Sequence, residues 1–302
     1  MTYENTAAKS LLEGSAIPPR TRPAARTSED FARHERDKKR KLALRRVLRG
    51  AIGIGGLLVL WHVMSVAYNL QLILPPPMAV LQRVFGMLTL DDTRWLYGPN
   101  VYVHLAQSFQ RAMIGFGLAA ILGIPLGLLV GRIAIVREFL QPIIKAFYPV
   151  PGIAWIPLAI LWFGLSDTAV IFVVFMTAFF PLYFSAEAGA RQISPILIDA
   201  GRCFGANGLT LFYRVILPAT VPFITTGLRI GLGGAWRMIV AGEMLASSAG
   251  IGFMLMEARF QFRAVDLMTA MILISIVGYL TELLIVRLVE KRTTEKWEVK
   301  SA

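Results

Sequence analysis

The sequence is poor in the residues that most protein chemistry requires. It has one cysteine, Cys203, so no disulfide framework is available. Its three histidines, His34, His62 and His104, are scattered and cannot form a spaced metal cluster, so no metal site is expected. No Gly-x-x-x-x-Gly-Lys-Ser/Thr phosphate loop occurs. Of eight lysines only Lys9 and Lys300 are followed by a hydroxyl residue, and neither has the preceding glycine. Charge is scarce as well: 17% of the 302 residues are charged, where a soluble domain carries roughly a quarter. With 56% hydrophobic residues and a mean hydropathy of +0.60, an ordinary soluble domain is excluded. The net charge of +12 could suit a nucleic-acid-binding or disordered chain, but such chains are not this apolar.

What is present is a set of long apolar runs in a basic chain. Six are long enough to cross ~30 Å of hydrocarbon: about 50–69, 112–131, 139–164, 168–186, 221–245 and 267–288. The third holds Pro142, Pro149, Pro151 and Pro157 and is expected to be kinked or partly broken. No segment alternates like a barrel strand. The expectation is an all-α, polytopic membrane protein with six transmembrane helices. Alternating the spans from a cytoplasmic N-terminus puts 23 of the 31 Lys/Arg inside and four outside (Arg83, Arg94, Arg259, Arg263). That bias places both termini in the cytoplasm.

The chain divides accordingly. Residues 1–46 carry 12 Lys/Arg and 6 Asp/Glu with little apolar content, and most of this tail is expected to be disordered. Such a basic run before a membrane span signals cytoplasmic retention and can touch anionic lipid headgroups. Residues 47–98 hold the first span and an external segment. Residues 70–111 are read as an outer connection, in which Pro75, Pro76 and Pro77 start a short amphipathic helix. Residues 99–290 form the core, with a cytoplasmic loop at about 190–219, and 291–302 form an inner tail.

That loop is the most informative stretch. Ser194-Pro195 is a helix start, and the run through Arg202 can make about two turns. Gly205 and Gly208 permit a tight reversal because they accept positive φ. Leu209 to Val215 can form a second short helix, expected to stop before Pro218. Apolar Phe204, Leu209, Phe212 and Tyr213 mixed with Asp199, Arg202 and Arg214 suit docking on another protein.

The pattern Asp199-Ala200-Gly201, three residues (Arg202 to Phe204), Gly205, nine residues, Val215, Ile216, Leu217-Pro218 resembles the EAA loop of permease subunits of ATP-binding-cassette importers. The spacing matches throughout; Asp replaces Glu, Gly the second Ala, and Val replaces Ile. Further stretches are similar to the nitrate/sulfonate/taurine branch. They include Leu74-Pro75, Ser108 with Arg111, Ala154-Trp155-Ile156-Pro157, Trp236, Glu243 and Gly250-Ile251-Gly252. The resemblance implies a type I importer permease fold in a bacterial inner membrane. It further implies a loop seated on an ATPase subunit, two ATPase copies, a second permease copy in a homodimer, and an extracytoplasmic binding protein. ATP and magnesium would be held by the ATPase and no cofactor by this chain; the cargo would be nitrate, a sulfonate, taurine or a similar organic acid. No nucleic-acid partner is expected.

Arg229, Arg237 and Glu243 fall within the fifth span, where charge is costly and must face protein or water. One reading has the arginines attracting an anion in an aqueous path. The other has them pairing with acidic groups such as Glu187 and packing permease copies together. Gly123, Gly127 and Gly131 on the second span, and Gly227, Gly231 and Gly234 on the fifth, recur on single faces that permit close helix approach. A stand-alone ion-coupled transporter is the alternative, but no internal repeat is evident, and Glu243 and Glu282 are thin material for a proton relay. An intramembrane enzyme lacks a Ser/His pair, metal motif or Asp pair within the spans.

Overall fold

The computed structural model describes residues 28–67, 73–89 and 100–293, and every element among them is helical. The chain divides into two units, residues 1–60 and 61–302. In the first, helix α1 (Ser28–Ala67) already runs through residues 28–46, part of the segment expected to be disordered. The sequence there sets Glu29, Glu35 and Asp37 four residues before Arg33, Lys39 and Lys41, a spacing that supports helix. The expectation for residues 1–27, like that for 294–302, lies outside the described residues.

In the second unit the end of α1 is tied to the strap that follows. Trp61 Nε1 donates to Pro75 O at 3.0 Å and Ser65 Oγ to Leu74 O at 2.7 Å. Helix α2 (Pro77–Leu88) starts on its prolines as expected and buries Val80, Val84 and Met87. Helix α3 (Val101–Arg132) corrects the second span. It begins eleven residues earlier than the apolar run, so 101–111 are the first turns of the same continuous helix. Asn100 caps it by accepting from Tyr102 N, and the polar His104, Ser108 and Arg111 of its first turns are buried against α9 and the start of α10.

The proline-rich third run is broken, as its composition requires. Helix α4 (Ala134–Phe147) and the short 3₁₀ turn plus α5 (Trp155–Phe163) meet at 81° around Pro149 and Pro151. Helix α6 (Asp167–Arg191), capped by Ser166, is the central element and the most enclosed span. Helix α7 (Pro195–Cys203) and the turn α8 (Gly208–Leu211) form the loop. A π turn at Phe212–Ile216 then leads into α9 (Leu217–Ala246), and α10 (Ile251–Phe260) and α11 (Ala264–Thr293) close the fold.

Five of these helices are long and apolar enough to span a membrane among the described residues, and the bent pair makes a sixth if it is one span. The core lies where α3, α5 and α9 surround α6. It is built of small and branched residues such as Ala112, Ala119, Ala159, Val170, Val174, Ala178, Leu232 and Ile239. The two glycine stripes explain how α6 is gripped from two sides. Gly123, Gly127 and Gly131 of α3 lie against Phe179 O, Ala186 and Ala190, and Gly227, Gly231 and Gly234 of α9 against Ser185, Ala178 O and Thr177. A Cβ at Gly131 would stand 2.7 Å from that of Ala190, and one at Gly227 2.6 Å from that of Ser185. Only glycine allows the backbones this close.

Candidate functional site

The loop is a rigid bracket with an apolar outer face. Ile198 of α7 is buried with Ile193, Leu211 and Ile216, which holds α7 against the start of α9. The reversal is made at Gly205, whose φ of +80° disfavours any side chain, and is locked by Ala206 N donating to Gly201 O at 3.0 Å. Asp199 and Arg202 form an exposed i,i+3 pair at 3.5 Å. Exposed beside them stand Ala200, Ile196, Leu197, Phe204 at 92%, Leu209 and Tyr213. Isolated apolar residues on a surface need no explanation, but several on one short bracket make it a candidate interaction face.

Two departures from the EAA pattern touch each other. A Cβ at Gly201 would meet Val215 Cγ2 at 2.9 Å and Leu211 Cδ1 at 3.0 Å. The missing methyl at 201 therefore makes room for the second arm of the loop.

The second arm does not stop before Pro218, as the sequence suggested; helix runs on through it. Proline lacks an N–H and its ring crowds the carbonyl four residues back. The turn widens just ahead of it, and Leu217 N–H reaches back to Phe212 O in a π turn. Leu217 and Pro218 are half-buried there. The second arm of the loop thereby runs without a break into α9, a 30-residue helix.

Arg229 and Arg237 share an exposed stripe of α9 with Pro222, Thr226 and Ile230. They are about 12 Å apart along the axis. Arg237 makes no hydrogen bond or ion pair among the described residues. The suggested partner, Glu187, is engaged elsewhere, accepting from Gln141 Nε2 at 3.0 Å and Arg191 Nη1 at 3.2 Å.

Glu243 does not belong with those arginines. It is fully buried and forms the centre of a network at the far end of α9. Its carboxylate accepts from Arg111 Nη1 (2.8 Å), Ser108 Oγ (2.7 and 2.8 Å) and Gly252 N (2.9 Å). Arg111 also reaches Asp167 at 2.8 Å and Ala249 O at 2.6 Å, while Gly250 N donates to His104 Nδ1 and Ile251 N to Ser108 Oγ. Helical-wheel spacing alone puts Glu243 near the azimuth of Arg229. What differs is the cover: α3 and α10 close over the outer end of α9 and leave the stripe at 222–237 open.

Residues 123–295 match the family described as binding-protein-dependent transport system inner membrane component. The chain belongs to that family. Among relatives, it is 38% identical to the taurine transport system permease protein TauC of Escherichia coli over 237 residues (77% of this chain, 85% of that protein). It is 32% identical to the nitrate import permease protein NrtB of Synechocystis (78% and 86%) and 33% identical to the putative aliphatic sulfonates transport permease protein SsuC of Bacillus subtilis (74% and 78%). Its fold is similar to a chain of the MetNI methionine ABC transporter in an inward-facing form, with a TM-score of 0.54 and 21% identity over 63% of this chain and 95% of that one. It is thus an ABC transporter permease of the inner membrane with the type I importer fold.

In this permease the residues that carried the resemblance, Ser108, Arg111, Glu243 and Gly250 to Gly252, are widely separated in sequence and form one network. Sequence reasoning missed their association. The signal that could have found it was the pair of opposite charges in two apolar runs, Arg111 and Glu243, since each needs a buried partner.

Proposed function

We propose that this permease forms the translocation path of an importer for a small anion, driven by partner ATPases docked on the α7 bracket. The observation that carries the reading is the bracket itself: apolar Phe204, Leu209 and Tyr213 exposed on a short helix pair welded to a span. Two ATPase copies bind ATP and magnesium, this chain supplies no nucleotide site, and closure of the ATPases rocks the spans between inward- and outward-open forms. A second copy of the chain completes the path as a homodimer, and an extracytoplasmic binding protein delivers the cargo. Taurine, nitrate and aliphatic sulfonates are named for the relatives, and the shared chemistry of those cargoes is a compact oxyanion. Arg237, exposed in a span and without a partner among the described residues, supports an aqueous face that attracts such an anion.

The test is purification of the permease together with its ATPase. Asp199→Lys and Gly205→Pro are each expected to abolish co-isolation while the permease itself is still recovered from the membrane. Retention of the ATPase by both variants, or transport by the chain alone in liposomes under an ion gradient, would overturn the reading in favour of a stand-alone transporter.

A further inference from the structure

Between α4 and the end of α6 lies an open cleft of about 560 Å³ that no step of the reading above uses. It is lined by Gln141 and Lys145 of α4, Phe184, Glu187 and Arg191 of α6, and Gln192 at the C-cap. The carboxylate of Glu187 is buried and already accepts from Gln141 and Arg191. Its charge anchors those two donors. Still open to the cleft are the rest of the Arg191 guanidinium, which is half exposed, and the Lys145 ammonium, which has no hydrogen bond or ion pair among the described residues.

A guanidinium fixed through one nitrogen keeps its other donors pre-aimed, and an ammonium on a second helix supplies a movable point charge. Two such cations over a single compensated carboxylate leave a net positive cleft. Its partly apolar lining, with Phe184, strengthens the attraction relative to open water. We propose that this cleft binds one oxyanion group, carried either by a free sulfonate or nitrate ion or by an anionic lipid headgroup. Arg191 stands three residues before Ser194, where the loop begins, at the end of the bundle that the charge bias places in the cytoplasm. The binding does not depend on the importer reading; any bearing on the adjacent loop does.

The experiment uses the full-length protein in phosphatidylcholine nanodiscs, titrated calorimetrically with ethanesulfonate and with nitrate. In parallel, mixed phosphatidylglycerol/phosphatidylcholine discs are examined by native mass spectrometry for retained anionic lipid. Loss of a charge-assisted contact is expected to weaken binding ~10-fold in Lys145→Gln and in Arg191→Gln. Arg287→Gln, which removes the same charge elsewhere on the inner side, is expected to change it less than ~2-fold. Anion binding in phosphatidylcholine assigns the site to a soluble anion; retained phosphatidylglycerol without anion binding assigns it to a headgroup. Because Arg191→Gln also releases Glu187, Lys145→Gln keeps the test readable if the former does not fold. The proposal is overturned if wild type binds neither probe, if both cleft variants bind as wild type does, or if binding survives both and is lost in Arg237→Gln. None of these results bears on co-isolation of the ATPase, so the two readings fail separately.

Discussion

Glu243 and Arg111 are 132 residues apart in the chain and 2.8 Å apart in the fold, joined at the point where α3, α6, α9 and the start of α10 converge. The carboxylate is fully enclosed and accepts from three donors, Arg111, Ser108 and Gly252 N, while the guanidinium has a second carboxylate, Asp167, and a carbonyl. A buried ion pair of this kind adds little net stability by itself, because taking two charges out of water costs several kcal/mol per ion. Its effect is selective. Only one register of α3 against α9 satisfies both charges and also the backbone N–H groups of Ile251 and Gly252.

Removing one partner is therefore expected to be far worse than removing both. Arg111→Met leaves the buried Glu243 carboxylate without a cation and is expected to cost about 3–5 kcal/mol, and Glu243→Met, which leaves Arg111 its pair with the exposed Asp167, is expected to cost less. The double variant is expected to recover part of that loss. Thermal unfolding in detergent, read as a double-mutant cycle, checks it; additive losses would show that the two residues do not act as a pair.

The grip on α6 is expected to be sensitive to single methyl groups. Gly131→Ala brings a Cβ to 2.7 Å from Ala190 Cβ and 2.8 Å from Glu187 O, and is expected to cost about 1–3 kcal/mol. Gly117→Ala on the same helix meets nothing within 4 Å and is expected to shift stability by no more than ~0.5 kcal/mol. Parallel melting curves of the two variants measure the contrast.

Gly201 and Val215 are expected to behave as a matched pair. Gly201→Ala should loosen the bracket and increase proteolytic cleavage within 195–216 by several-fold. Adding Val215→Ala removes the Cγ2 that the new methyl would meet and should restore protection. Limited proteolysis of inside-out membrane vesicles reads both.

Arg237 is expected to act through its charge. Arg237→Gln should lower anion uptake roughly 10-fold or more, and Arg237→Lys should retain an intermediate rate. Uptake of a labelled sulfonate by cells carrying the complete transporter measures it. Unchanged uptake in Arg237→Gln would remove this residue from the path.

Much of the architecture was legible because long apolar runs, prolines and glycines act locally. The break between α4 and α5 follows from Pro149 and Pro151, which cannot supply the N–H groups a straight helix needs. The bracket was legible from Pro195, Gly205 and the spacing to Pro218. The start of α3 was not, because the polar residues His104 to Arg111 hide its first turns from any hydropathy reading until their partners on α9 and α10 are known. The continuation of helix through Pro218 was not legible either, since a π turn leaves no mark in composition.

The scarcity of charge, cysteine and histidine, with apolar runs spaced by basic loops, determined by itself that this is a multi-span membrane chain without a nucleotide loop of its own. Those properties depend on each residue's transfer between water and hydrocarbon. Only the tertiary structure decided which of the charges in the apolar runs are buried and which are exposed. Arg111 and Glu243 neutralise each other under the cover of α3 and α10, whereas Arg229 and Arg237 lie on a stripe that no described helix covers. Burial at one azimuth of a helix depends on what packs over it at that height, and periodicity carries no record of that.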